Sequence, residues 1–435
     1  MKKGLSLALV FVLVMVCSLS TIFAEDTVTL KVLNYMDLSS PGAQTEINQI
    51  WGDFEKANPN IKIEREDLFN EPFHQKTEAY AAAGKLPDVI YMWPGGRSTT
   101  LHTRHLVKDL RPFLGKDAKN FSAAALVPQA GGYLGEIPIG VTATHALYVN
   151  KKMLADLGIA LPKTYAQLVA AAKQLKTAGK GAILMGAQDD WVMQSCLFSM
   201  IVGRICGDDY VAGLKAGKIK FTDAQFVKAL KFYAGLYRDG VLDKKNLQTA
   251  YNDVNGLWAS GRAPFMVDGD WKVGNFLTDP TTKQALIPVA EQANYAMTIF
   301  PRIPGEKNHQ TTSVVPGVGF GMNAKIPAGS AREKAAWKLI SWLVSPEVQK
   351  IRLETGAAFP SRKGVTSDKL EPLAQERARF YGSFKGTCVL DNELDAKVYA
   401  PINTGLQEIG LGVATPEQVA ANVQKAYERW KTGQN

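Results

Sequence analysis

The feature that most constrains the fold is an alternation between two hydrophobic periods. Residues 27–35 (TVTLKVLNY) alternate apolar and polar side chains, the period of two expected of a half-buried strand. The chain then switches to helical spacing, with Ile47, Ile50, Trp51 and Phe54 on one face, and stops near Asn58-Pro59. Ile61 and Ile63 mark a second strand, residues 73–83 a helix closed by Gly84, and residues 88–92 (DVIYM) a short buried strand. The pattern resumes with strands at 146–149, 182–185 and 263–267, and with a helix from Thr164 to about Lys176. Thr164, Ser345 and Thr415 offer capping hydroxyls, and Thr222 with Gln225 has capping-box spacing ahead of Phe226, Leu230, Tyr233 and Tyr237. Strands alternating with helices predict an α/β fold with sheets covered on both faces. With no low-complexity linker, lobes are expected to be joined by strands rather than by a tether.

The amino terminus predicts export. Lys2 and Lys3 precede an apolar run over 5–16, and Ile22-Phe23-Ala24 stands ahead of Glu25-Asp26. This order predicts a signal peptide over 1–24 and a periplasmic mature protein. Lipid attachment at Cys17 is disfavoured, because Val16 stands where a small residue is wanted. The apolar core is shorter than the ~20 residues of a membrane span. The formal charge of +9 is scattered, without the dense basic run of a nucleic-acid binder. Cys196, Cys206 and Cys388 form no short-spaced metal or redox motif and read as small buried hydrophobes.

Catalytic equipment is sparse. The chain has no Gly-x-Ser-x-Gly elbow and no phosphate-cradling loop, and His102 with His105 reads as a polar helix surface rather than a zinc site. Two carboxylate pairs exist, Asp268 with Asp270 and Asp189 with Asp190. Near neighbours on one segment seldom flank a sugar ring from opposite sides, as glycosidase carboxylates must. No enzyme activity, cofactor or metal is expected. Three tryptophans are more suggestive: Trp93 follows the 88–92 strand, Trp191 follows Asp189-Asp190, and Trp271 follows Asp268-Gly269-Asp270. Flat aromatic faces beside carboxylates suit a pyranose, with its apolar C–H face and rim of hydroxyls.

Further motifs carry a family resemblance along the mature chain. Phe54 to Pro59 (FEKANP), Ala83 to Val89 (AGKLPDV), Ile137-Pro138-Ile139, Leu147 to Lys151 (LYVNK), Ser260 to Met266 (SGRAPFM), Gly269-Asp270-Trp271 and Gly356 to Arg362 (GAAFPSR) occur in order. In these segments the chain resembles the extracellular solute-binding proteins of ABC sugar importers, the maltodextrin-binding-like group; Val149 stands inserted in the Tyr-Asn-Lys element. The resemblance implies a type II periplasmic-binding-protein-like fold: two α/β lobes from discontinuous segments that close on ligand by hinge bending. The lobes are expected over 25–141 plus 277–345, and over 142–276 plus 346–435. The resemblance also implies a carbohydrate ligand, a membrane permease partner and a monomer. It puts Trp93 and Arg97 on the first lobe's side of the site, and Trp191 with Asp189 and Asp190 on the second. Trp271, with Asp270 beside it, matches the aromatic after the second hinge strand. Thr142 stands where maltodextrin binders carry a hinge glutamate, which puts maltodextrin specificity in doubt. Tyr35, Asp37, Phe359 and Arg362 are further candidates. Alternatives are the same fold holding a polyamine, ferric ion or phosphorylated polyol, and a secreted hydrolase.

Overall fold

A computed structural model describes residues 27–433; the expected signal segment and Cys17 lie outside the described residues. The first lobe is built on a five-stranded sheet in the order Ile61–Leu68, Val28–Tyr35, Val89–Met92, Gly319–Met322, Ile137–Pro138. The first three strands run parallel, with Val28 opposite Ile61 and Val32 opposite Val89, and Gly319–Met322 returns antiparallel. Val89–Met92 is buried at all four positions, as a central strand covered by helices on both faces must be. Helices Glu71–Ala83 and Ala331–Leu343 supply cover, and the core holds Trp51, Phe54, Phe73, Phe320 and Leu339.

The second lobe has a four-stranded sheet ordered Ile183–Leu184, Phe265–Asp268, Ala146–Asn150, Tyr295–Thr298. One face buries Phe198, Phe226, Leu230 and Tyr233 of helices 193–206 and 224–238, and the other buries Trp258, Phe276 and Phe380. Two lobe boundaries differ from those expected. Tyr295–Thr298 pairs with Ala146–Asn150, so the stretch from 277 to about 313 belongs with the second lobe. Val348 and Ala358 pack in the first-lobe core, so 346–358 belongs there. Chain order gave no sign of either exchange, because both stretches carry ordinary amphipathic patterns.

Three chain segments cross between the lobes side by side. Gly140–Thr142 lies between Val315–Pro316 and Phe359–Pro360, antiparallel to both. The prolines sit on the two outer strands, where a missing N–H costs no ladder bond. A Cβ on Gly140 would lie 2.4 Å from the Phe359 carbonyl oxygen, so glycine lets the crossings pack this closely.

Local signals fared unevenly. Thr164 and Thr415 form capping boxes with Gln167 and Gln418, and Ser345 caps its helix. The helix expected from a Thr222 cap runs over Ala224–Arg238 with Asp223 at the N-cap, one residue later, and no side-chain cap. His102 is buried, its Nδ1 2.8 Å from the Ser98 carbonyl oxygen, and is not the surface residue its polarity suggested. Glu136, just before the edge strand Ile137–Pro138, is buried with no hydrogen-bond partner on either carboxyl oxygen.

Burial pushes the Glu136 carboxyl up to about 8. Between the unfolded pKa and that value the folded chain holds a proton that the unfolded chain has lost. Folding stability therefore falls as pH rises through this window and levels off above it. Urea unfolding between pH 5 and pH 8 is expected to give a wild-type slope of up to ~1.4 kcal/mol per pH unit steeper than Glu136→Gln. Parallel profiles would contradict this.

Candidate functional site

A cavity of about 350 Å³ opens between the lobes. Its walls are loops that follow sheet strands, the usual ligand position in open α/β sheets. Tyr35 and Trp93 come from the first lobe, Trp191, Tyr251 and Trp271 from the second, and Gly140 to Thr142 from the crossing ribbon.

On the first lobe, Tyr35 ends its strand and meets Trp93 edge to face, with ring centroids 4.6 Å apart. Phe73 and Tyr91 back both rings. Arg97 Nη1 lies 3.1 Å from His74 Nε2. Burial, and then the Arg97 charge, hold the His74 pKa down to about 3, so its Nε2 accepts from the guanidinium. Arg97 Nε also lies 3.5 Å from the Asp391 carboxylate of the second lobe.

On the second lobe, the Trp271 indole folds back over the backbone, and a Cβ on Gly269 would lie 2.2 Å from its ring. Its Nε1–H donates to the Tyr251 hydroxyl at 2.6 Å, leaving the Tyr251 proton free to be donated elsewhere. The Trp191 ring lies 5.0 Å from Tyr251 and 6.2 Å from Trp271, which makes a tilted aromatic cluster. Behind it, buried Lys272 places Nζ 3.2 Å from the Tyr251 ring centroid and donates to the Tyr251 carbonyl at 2.8 Å. Asp268, raised to about 6 by burial against the pull of Lys272, is fully buried behind this wall.

The structure brings Tyr35, Asp37, Trp93, Arg97, Thr142, Trp191 and Trp271 to the cavity. Asp189 and Asp190 stand beside it. Asp189 accepts from Asn70 Nδ2 of the first lobe at 2.5 Å and from the Tyr251 N–H at 3.0 Å, and Asp190 from Asn403 at 3.4 Å. Asp270 borders the cavity, but its carboxylate is committed elsewhere. It accepts from Arg377 Nε at 2.6 Å and from the Ala143 N–H at 2.9 Å, and the Tyr381 hydroxyl lies 2.8 Å away. Arg362 is not at the cavity. It pairs with Asp117, donates to the Val344 carbonyl and lies over Phe121. Phe359 stacks on Tyr381 at 4.0 Å as part of the ribbon's support. Sequence reasoning missed Tyr251, His74 and Asp391; none carries a local motif, and each is placed by side chains distant in sequence: His74 by Trp93 and Arg97, Tyr251 by Trp191 and Trp271, and Asp391 by Arg97 of the other lobe.

Residues 39–350 match the family model of the bacterial extracellular solute-binding protein. The chain belongs to that family. This solute-binding protein is 22% identical over 363 residues to the multiple sugar-binding protein of Streptococcus mutans, covering 80% of this chain and 79% of that one. Its fold is also that of a chitin oligosaccharide binding protein, at a TM-score of 0.81 and 22% identity over 93% of this chain and all of the other. A third likeness, at a TM-score of 0.72 and 20% identity over 93% of this chain and 100% of the other, is to the maltose/maltodextrin-binding domain from Bdellovibrio bacteriovorus bound to maltotriose.

The Asp270–Arg377 pair is buried on both sides. Replacing one member leaves an uncompensated charge, so Arg377→Met is expected to cost about 3–5 kcal/mol of stability. Urea unfolding at pH 7 checks this, and a loss under about 1 kcal/mol would show that the pair is dispensable.

Proposed function

We propose that this chain is the extracytoplasmic receptor of an ABC importer, capturing an uncharged mono- or oligosaccharide between its lobes and delivering it to a membrane permease. The observation that carries the reading is a cavity with aromatic faces on both lobes and hydrogen-bonding groups between them. An apolar sugar face stacks on such rings while its hydroxyls take the Tyr251 proton, the Arg97 N–H groups and the Asp37 carboxylate. The multiple sugar-binding, chitin oligosaccharide and maltotriose-bound relatives support the carbohydrate class.

Charge pairing favours a neutral ligand over a uronate. The arginines that line the cavity, Arg97, Arg352 and Arg377, each already face a carboxylate, that of Asp391, Glu46 and Asp270 respectively. An acidic sugar would compete with protein carboxylates for cations already neutralised. Of the carboxylates that line the cavity, Glu46, Asp270 and Asp391 each face an arginine and Asp37 accepts from Asn252, so all four have the character of hydrogen-bond acceptors. No described helix is long and apolar enough to cross a membrane. The extracellular solute-binding family supports a place outside the cytoplasm.

The mechanism is a population shift. Sugar enters between parted lobes, binds both aromatic walls, and favours the closed arrangement by the contacts that only this arrangement completes. The permease then receives a closed, loaded receptor.

A thermal-shift panel tests the reading. Maltotriose, xylotriose, chitotriose and raffinose stand for neutral sugars, with galacturonate trimers, spermidine and ferric citrate as competitors. At a hundredfold excess over its dissociation constant a ligand adds ~2.7 kcal/mol, a shift of a few degrees. At least one neutral sugar is expected to give it, and the uronates and cations none. A response to uronates alone would overturn the neutral preference, and a response to cations alone the sugar reading. Trp93→Ala and Trp191→Ala, one from each lobe, are each expected to weaken the responding sugar by roughly 1–3 kcal/mol, with each variant's ligand shift read against its own sugar-free melting temperature.

A further inference from the structure

The lobes also touch each other directly at the edge of the cavity, through glycines that do not line it. The turn Gly95–Ser98 belongs to the first lobe: it follows Val89–Met92, and the next helix buries Leu101 against Ile90 and Met92. Facing it is Leu390–Glu393 of the second lobe. That short helix is anchored to its own lobe, since the Leu390 N–H donates to Ser199 Oγ at 2.9 Å and Ser195 Oγ donates to Asp391 Oδ1 at 3.1 Å.

The two meet backbone to backbone. A Cβ on Gly95 would stand 2.0 Å from the Asn392 carbonyl oxygen, and one on Gly96 would stand 1.8 Å from that of Leu394 and 2.5 Å from that of Asp391. Gly95 has a φ of +70°, which by itself favours glycine. Gly96 has no such φ, so only the close approach of the other lobe requires glycine there. The atoms nearest to that missing Cβ all belong to the second lobe. Parted lobes therefore remove the three closest of its clashes.

We infer that Gly95-Gly96 against Asn392–Leu394 is a ligand-independent closure contact, and that Gly96 sets the balance between open and closed lobes, and so the affinity, without touching the ligand. The carbonyl oxygens of the second lobe approach the glycine Cα atoms closely enough for C–H···O contacts, and Arg97 with Asp391 adds an ionic contact beside them. A side chain at 96 penalises the closed arrangement alone. Affinity falls in proportion to the closed fraction, because the competent state becomes rarer. The ligand arm rests on the sugar-receptor reading, and the sugar-free arm does not.

The test compares wild type, Gly96→Ala and Gly96→Val as purified chains. Small-angle X-ray scattering in sugar-free buffer is expected to give a radius of gyration that rises in that order, with unchanged sugar-free melting temperatures. Titration with maltotriose, xylotriose and raffinose is expected to show a graded loss, roughly tenfold or more for Gly96→Val, in whichever sugar wild type binds. Equal radii in all three would overturn the inference. So would a lower sugar-free melting temperature in Gly96→Val, which would place Gly96 in its own lobe's packing. If wild type binds none of the sugars, the receptor reading has failed and the scattering arm still decides this one.

Discussion

The two-lobed architecture depends on one buried ion pair at the crossing ribbon. Asp270 and Arg377 meet where the Phe265–Asp268 strand of the second lobe ends. The carboxylate holds the Ala143 N–H just past the first crossing, and Arg377 Nη1 donates to the Gly356 carbonyl ahead of the third. The Tyr381 hydroxyl lies 2.7 Å from the Val141 carbonyl oxygen and shares its proton between that atom and Asp270. One charge pair thus joins two of the three crossings to the turn Asp270–Asn275 that carries Trp271. Two charges out of water are tolerable there because both Asp270 oxygens and two of the Arg377 nitrogens are hydrogen-bonded. The lobes can then turn about a ribbon whose register is fixed.

That arrangement separates support from recognition. The cavity's arginines are each paired with a carboxylate that helps hold the walls, and aromatic rings and the hydrogen-bonding groups of Tyr251, Arg97 and Asp37 are left at the ligand space. Lys272 beneath Tyr251 illustrates the division: its charge is spent on a carbonyl, a ring face and Asp268, none of them ligand. The bridges between the lobes, Asn70 to Asp189 and Asn252 to Asp37, lie at the cavity's margin and form only when the lobes approach. Closure is therefore read out by several small interactions, each contributing on the order of 1 kcal/mol, with no single latch dominating.

Much of this was legible in the sequence. The period-two and helical patterns located six of the nine strands in the two lobe sheets, missing Ile137–Pro138, Tyr295–Thr298 and Gly319–Met322, and aromatics placed after strands pointed to Trp93, Trp191 and Trp271 at the cavity. The charged candidates were harder. Asp270 and Arg362 sit in the right motifs, yet what each carboxylate or guanidinium binds is set by residues more than a hundred positions away, as with Arg377 and Asp117. Tyr251 and Asp391 were invisible for the same reason. The lobe boundaries at 277–313 and 346–358 failed because strand pairing, not local pattern, decides to which sheet a segment belongs.

The central claim is that a sugar is held by both lobes at once. Hydrogen–deuterium exchange with and without a responding sugar tests it most directly. Slowed exchange is expected together in the segments around Trp93 and around Trp191 to Met193, and in Tyr251 to Asp253, with the outer helices unchanged. Protection confined to one lobe would contradict the account.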